Sequence, residues 1–224
     1  MAIGDLNESS LHAELKRALA PPGARFEVGV DGYVVDAVSD GLLIEVQTRH
    51  VGKLRPKLAR LLPEHAMRIV VPVASQRWIV RRGPDGEVRR RSPKRADLLD
   101  ALAELVGIPR FLDHPNLEIE VVLVHDEETR ERRPGASWRR RGWVSVERRL
   151  LAVTGRERLR GARAWLRALP AALPERFTTL DVAGGRATRR GVARRAAFVL
   201  REAGVIVPTG RSGRSPSYEI APPA

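Results

Sequence analysis

With 224 residues, 43% of them hydrophobic, the chain can bury one sizeable core or two modest ones of roughly 100 residues each, and two domains are expected. It contains no cysteine, which excludes disulfides, thiol chemistry and Cys-ligated zinc, and leaves carboxylates, carbonyls and histidines to hold any metal. The formal charge of +13 is unevenly placed: residues 1–80 hold 10 Lys and Arg against 9 Asp and Glu, residues 81–129 hold 8 against 11, and residues 130–224 hold 22 against 7. Such a basic C-terminal part points to a polyanionic partner, because Lys and Arg that neutralise phosphates release condensed counterions. The preference for Arg over Lys also fits a GC-rich genome. No run approaches the roughly 20 apolar residues of a membrane helix, and Met1 to Ala20 lacks the basic start and apolar centre of a signal peptide. A cytoplasmic protein with no membrane partner is expected.

In chain order, "NESSLHAELKRALAPPG" sets Leu11, Leu15 and Leu19 at helical spacing between a candidate N-cap, Asn7, and a Pro-Pro-Gly stop, predicting a helix over about 8–20. "ARFEVGVDGYVVDAVSDGLLIEVQT" carries Asp31-Gly32 and Asp40-Gly41 between apolar runs, the signature of tight hairpins, and predicts a three-stranded meander. "VGKLRPKLARLL" returns to helical spacing, and "MRIVVPV" and "QRWIVRR" read as two further strands. "EVRRRSPKRADLLDALAELVG" ends a hairpin and starts a helix at about Arg95, "LEIEVVLVHDEE" is another strand, and from about residue 148 the pattern reads as helix. This order argues an α/β fold with a mixed sheet flanked by helices.

Two carboxylates interrupt the apolar meander. Asp36 closes its second strand and Glu45 lies within its third, so a tight turn through Gly41 brings both to one edge of the sheet. Acids held close together resist joint ionisation unless a cation joins them, and carboxylate oxygens are what Mg²⁺ prefers. Glu45 and Gln47 share one face of their strand, alternating with Val46 and Thr48.

A helix with Glu, an Asp ending a strand, and Glu-x-Lys or Glu-x-Gln on the strand after a hairpin resembles the PD-(D/E)XK phosphodiesterase superfamily of restriction enzymes, resolvases and repair nucleases. Its pieces here are Glu8 in "ESSLHAEL", Asp36 in "VVDA", and Glu45 and Gln47 in "IEVQT", over about residues 5–80. The sequence departs from the pattern twice: Val35 replaces the Pro, and Gln47 replaces the Lys. An amide orients water but carries no charge, so Lys57, or secondarily Lys53, becomes the candidate to supply it from the next helix. The resemblance implies Mg²⁺, with Mn²⁺ as substitute, held by Asp36, Glu45 and the carbonyl of Val46, with Glu8 completing the site, Gln47 aiming a water and Glu14 as the rival helix acid.

The histidines, His12, His50, His65, His114 and His125, lack ligand spacing and read as ordinary surface or edge residues. "HDEETRERR" reads as a solvated strand end, and Trp138 and Trp143 around "RRRG" read as packing residues or as base-stacking ones. Near the C-terminus, "ERFTTLDVAGGRATRRGVARRAAFVLREAGVIVPTGRSGRSPSYEI" predicts a short helix, a turn, a long helix and a two-stranded wing. In the long helix Val192, Ala196, Val199, Leu200 and Ala203 form an apolar face opposite Arg190, Arg194 and Arg201. This resembles a winged helix-turn-helix, which implies that Arg190, Arg194 and Arg201, with Arg211 and Arg214 on the wing, meet DNA, phosphates first. Winged domains also serve as protein-binding modules.

The expected organisation is a restriction-endonuclease-like domain over 1–130, a connector over 131–150 and a winged helix-turn-helix domain over 151–224. Two functions follow: a Mg²⁺-dependent endodeoxyribonuclease targeted by its winged helix, or a non-catalytic DNA-binding or regulatory protein on a degenerate nuclease fold. The resemblance also admits a homodimer, as in junction resolvases.

Overall fold

The computed structural model describes residues 10–84, 86–133, 135–136, 142–213 and 215–223. Helix α1 (Ser10–Leu19) buries Leu11, Leu15 and Leu19 at the spacing the sequence shows; the expected cap, Asn7, lies outside the described residues. The meander follows as β1 (Arg25–Val30), β2 (Tyr33–Ser39) and β3 (Leu42–Val46). Its turns form because Asp31, Gly32, Asp40 and Gly41 all adopt positive φ, 46°, 83°, 47° and 77°, the left-handed pair that matches the twist of a hairpin.

A 3₁₀ turn (Val51–Leu54) and helix α2 (Arg55–Leu61) lead to β4 (Met67–Gly83), which lies parallel to β3. "MRIVVPV" and "QRWIVRR" are thus one strand of 17 residues and not two. The polar Ser75-Gln76 step is a bulge, where the register against the next strand shifts, and Ser75 Oγ donates to the Val124 carbonyl at 3.2 Å. β5 (Gly86–Arg91) folds back on the distal half of β4. Helix α3 (Leu98–Glu104) starts three residues later than Arg95 because Asp97 and Asp100 form a capping box. β6 (Leu117–Arg132) runs parallel to β4, and β7 (Trp143–Leu159) antiparallel to β6, giving a mixed seven-stranded sheet ordered β1-β2-β3-β4-β6-β7 with β5 on β4.

β7 corrects the helix expected from residue 148, and residues 131–132 and 143–150 of the expected connector, with residues 151–159 of the third segment, belong to β6 and β7. "ERRLLAVTG" fits both periods in isolation; in the fold its half-buried Leu150 and Val153 pack on α1.

Strand alternation divides the core between the two faces of the sheet. Ile44, Val46, Val70, Val122 and Val124 meet the leucines of α1. Leu43, Ile69, Val71, Ile119 and Val121 point the other way, into a core with Leu58, Leu61, Leu102 and Leu105. That second core continues into the C-terminal elements: a 3₁₀ helix (Ala162–Ala168), β8 (Phe177–Thr178), α4 (Thr179–Val182), α5 (Arg190–Glu202), β9 (Ile206–Ser212) and β10 (Ser215–Ile220). β8, β10 and β9 form a second, three-stranded sheet. α5 buries Ala193, Ala196, Ala197, Val199 and Leu200, with Val192 and Ala203 half-buried at the margin. Among the described residues no helix is long and apolar enough to cross a membrane.

Candidate active site

The β2–β3 register pairs Ala37 with Ile44, so one step further Asp36 stands opposite Glu45 where the strands part. Their carboxylates take different partners. Asp36 Oδ2 accepts from the Val46 amide at 2.8 Å and lies 3.1 Å from His12 Nε2. Burial works to raise the Asp36 pKa, but the His12 bond and charge, the Val46 amide and the Lys16 charge outweigh it and hold the carboxyl below its usual range. Glu45 faces α2, where Lys57 Nζ donates to Oε1 at 2.7 Å and to the Val34 carbonyl at 2.8 Å. Burial, aided by the Asp36 charge, pushes the Glu45 carboxyl above its usual range in spite of Lys57. Among the described residues, Glu45 Oε2 is buried without a hydrogen-bond partner. A buried carboxylate oxygen that accepts no bond is costly, and a cation would satisfy it.

Lys57, expected from the helix after the motif, therefore reaches Glu45, while Lys53 is exposed on the preceding turn. Gln47 is half-buried, and its amide donates to the Arg49 carbonyl. Glu14 points away, accepting the Leu150 amide of β7 at 2.5 Å. Glu8 lies outside the described residues. Among the described residues no group of three or more His, Asp or Glu could hold a metal ion.

Two readings need correction. His12 is no ordinary surface residue: it bonds Asp36, and the signal was its position beside the Leu11–Leu15 stripe with Lys16 one turn on. "HDEETRERR" is no solvated strand end either. Asp126 is 0% exposed and Glu128 3%, beneath a set of guanidinium groups. Arg77 chelates Asp126 at 2.8 and 2.7 Å and reaches Glu128 at 3.2 Å, Arg148 meets Asp126 at 2.6 Å, and Arg130 chelates Glu128 at 2.9 and 3.0 Å. The period-two spacing of Asp126, Glu128 and Arg130 was the available clue. Of the other histidines, His65 lies 3.5 Å from Asp31 and His125 packs edge-on to Trp78.

Arg190, Arg194 and Arg201 are exposed on α5, with Arg201 bonded to Glu202, and Arg211 is exposed on β9. Arg214, Trp138 and the arginines at 139–141 lie outside the described residues. Trp143 starts β7 and carries the Arg81 guanidinium 5.1 Å from its ring centroid.

A family model described as "Domain of unknown function (DUF8091)" matches residues 9–160. The chain belongs to this DUF8091 family. An uncharacterized protein of Treponema pallidum (strain Nichols) is 35% identical over 228 residues, covering 100% of this chain and 89% of its own length. No solved structure matches. The DUF8091 region closes with β7, so it contains Asp36, Glu45, Lys57 and the arginine cluster, while the three-stranded sheet and α5 follow it.

Proposed function

We propose that this DUF8091 protein is a metal-dependent DNA endonuclease, with a restriction-endonuclease-like sheet and a winged-helix module at its C-terminus. The observation that carries the reading is the Asp36–Glu45–Lys57 group at the parting of β2 and β3, with a Glu45 Oε2 that is buried and unpartnered among the described residues. Asp36, Glu45 and the Val46 carbonyl would hold Mg²⁺ or Mn²⁺, with water and Glu8 completing its shell. The ion would supply polarisation of a phosphodiester and acidification of a water. Lys57 Nζ brings to the site the positive charge that Gln47 lacks, where a phosphate approaches Glu45. His12 holds Asp36 ionised and oriented. The order β8, α4, α5, β9, β10, with Arg190 and Arg194 exposed on the longer helix, supports the DNA-binding assignment.

The test is cleavage of duplex, single-stranded, flapped and four-way-junction DNA in Mg²⁺, Mn²⁺ and EDTA. Asp36→Asn and Glu45→Gln should abolish metal-dependent cleavage and keep DNA binding, and Lys57→Ala should slow it by about a hundredfold or more. If Lys57 stands in for the motif lysine, Lys57→Ala becomes nearly silent in a Gln47→Lys background. Activity in both acid variants would overturn the assignment.

One observation favours a second reading, a non-catalytic DNA-binding or regulatory protein: Lys57 already neutralises one oxygen of Glu45. DNA binding without cleavage of any substrate in either metal would select it.

A further inference from the structure

The sheet has a second chemical centre. β3 pairs with β4 through Val70 and β5 pairs with β4 from Trp78 onward, so the β4 edge between them is left uncovered by either strand. The segment after β5 closes over this gap, with the Ser92 amide on the Arg77 carbonyl at 2.8 Å and the Ala96 amide on the Ala74 carbonyl at 3.0 Å. Between them is a cavity of about 400 Å³, lined by Thr48 and Arg49 just after β3 and by Arg77, Ser92, Arg130 and Arg148. That volume suits a small ligand such as a mononucleotide, since ligand sites run from about 300 to 1,000 Å³.

Its inner wall holds more positive charge than the protein neutralises. On that wall four guanidinium groups, those of Arg49, Arg77, Arg130 and Arg148, stand against Glu128 and, behind the lining, the fully buried Asp126. Among the described residues, the exposed Arg49 has no carboxylate partner and the buried Arg148 Nε has no hydrogen-bond partner. The lining also carries two further carboxylates, Asp100 and the exposed Glu104, and Asp100 is already bonded by Arg189 at 2.8 Å and Lys94 at 3.2 Å.

We propose that this cavity is a phosphate-binding site, which takes the phosphate of a nucleotide or of a DNA end on Arg49, Arg77 and Arg148. Arg49, which pairs with no carboxylate among the described residues, can offer its planar fork to two phosphate oxygens; Arg77 and Arg148, already bonded to Asp126, add charge and their remaining N–H groups, and the Thr48 and Ser92 hydroxyls add neutral donors. Burial and the charges of Arg77 and Arg49 pull Arg148 below its usual basicity in spite of Asp126, a repulsion that a bound anion relieves. The site stands on its own residues and does not depend on cleavage at Glu45.

Thermal unfolding and calorimetric titration of the full chain, both in EDTA, test it with inorganic phosphate, a deoxynucleoside monophosphate, and oligonucleotides bearing a 5′-phosphate or a 5′-hydroxyl. Phosphate or the monophosphate should raise the unfolding temperature above that in chloride of equal ionic strength. Arg49→Ala should weaken binding by about tenfold to a hundredfold without lowering the ligand-free unfolding temperature, because Arg49 is exposed, pairs with no carboxylate among the described residues and repels Arg148. Arg148→Lys, which keeps the charge and loses the fork, should weaken it too. A preference for the 5′-phosphorylated oligonucleotide identifies a DNA end as the source, and binding of the monophosphate with no such preference identifies free nucleotide. Phosphate no better than chloride, or undiminished binding by both variants, overturns the site. Binding without cleavage in metal would sink the nuclease reading alone.

Discussion

Glu45 and Glu128 are both buried glutamates, and their surroundings drive them in opposite directions. Glu128 is penalised by burial, but Arg130, Arg77 and the Ser145 hydroxyl more than compensate and bring it down to about 2. Its ionised form thus contributes stability that is complete above the ordinary value of 4.5 and is lost as pH falls towards 2, on the order of 3 kcal/mol in all. Glu128→Gln should therefore be less stable than the natural chain near neutral pH, and should lose less on acidification to about pH 3, measured by urea unfolding at each pH. An unchanged acid limb would count against the ion-pair account. For Glu45 the sign reverses: its carboxyl is raised by burial and by Asp36, so its contribution is present below 4.5 and lost as pH rises through the folded value. One ammonium on a buried acid with a second carboxylate nearby does not achieve what two guanidinium groups do for Glu128.

At the level of elements, the turn that carries Lys57 into place rests on a contact between two glycines. Gly52, in the 3₁₀ turn before α2, packs its backbone on Gly107 after α3, and a Cβ on Gly107 would stand 2.2 Å from the Gly52 Cα. Gly107→Ala must push the two backbones apart, costing about 1–3 kcal/mol in chemical denaturation and disturbing the Lys57–Glu45 pair. A neutral Gly107→Ala would show that the turn is free to shift. Nothing local in "LVGIP" announces this approach, because it joins residues 55 positions apart. The hairpins and α1 were legible for the opposite reason: Asp-Gly turns and a leucine stripe encode them within a few residues. The same holds for the pairing of Asp36 with Glu45, which one short turn dictates. β7 was not legible, since its partner β6 fixes its period, and neither was the burial of Asp126, which needs Arg77 from β4 and Arg148 from β7.

Across the whole molecule, the basic excess of residues 130–224 is partly used inside the fold. Arg148, Arg158 and Arg160 of the β7 region pair with Asp126, Glu120 and Glu118 of β6, so strand pairing itself matches an acidic strand to a basic one. Among the exposed arginines outside these pairs are Arg190 and Arg194. If DNA lies along α5, Arg190→Ala with Arg194→Ala should reduce the slope of log affinity against log salt by about 2, and Arg158→Ala should leave it nearly unchanged. The packing leads to a further expectation. Val35 and Val71 belong to the same buried core as Trp165, Phe177, Ala196 and Tyr218, and α5 rests on α3, with Arg189 bonded to the α3 cap residues Asp97 and Asp100 at 2.5–2.8 Å. A chain cut after residue 160 would expose the α3 side of that core, and one begun at residue 150 would sever β7 from half its ladder on β6. The full chain should therefore unfold in one calorimetric transition whose van 't Hoff and calorimetric enthalpies agree, and a fragment of residues 1–160 should melt at lower temperature. Two resolved transitions, with the first fully reversible and the second unaffected by Arg189→Ala, would show instead that the C-terminal elements fold as an independent unit merely docked on α3.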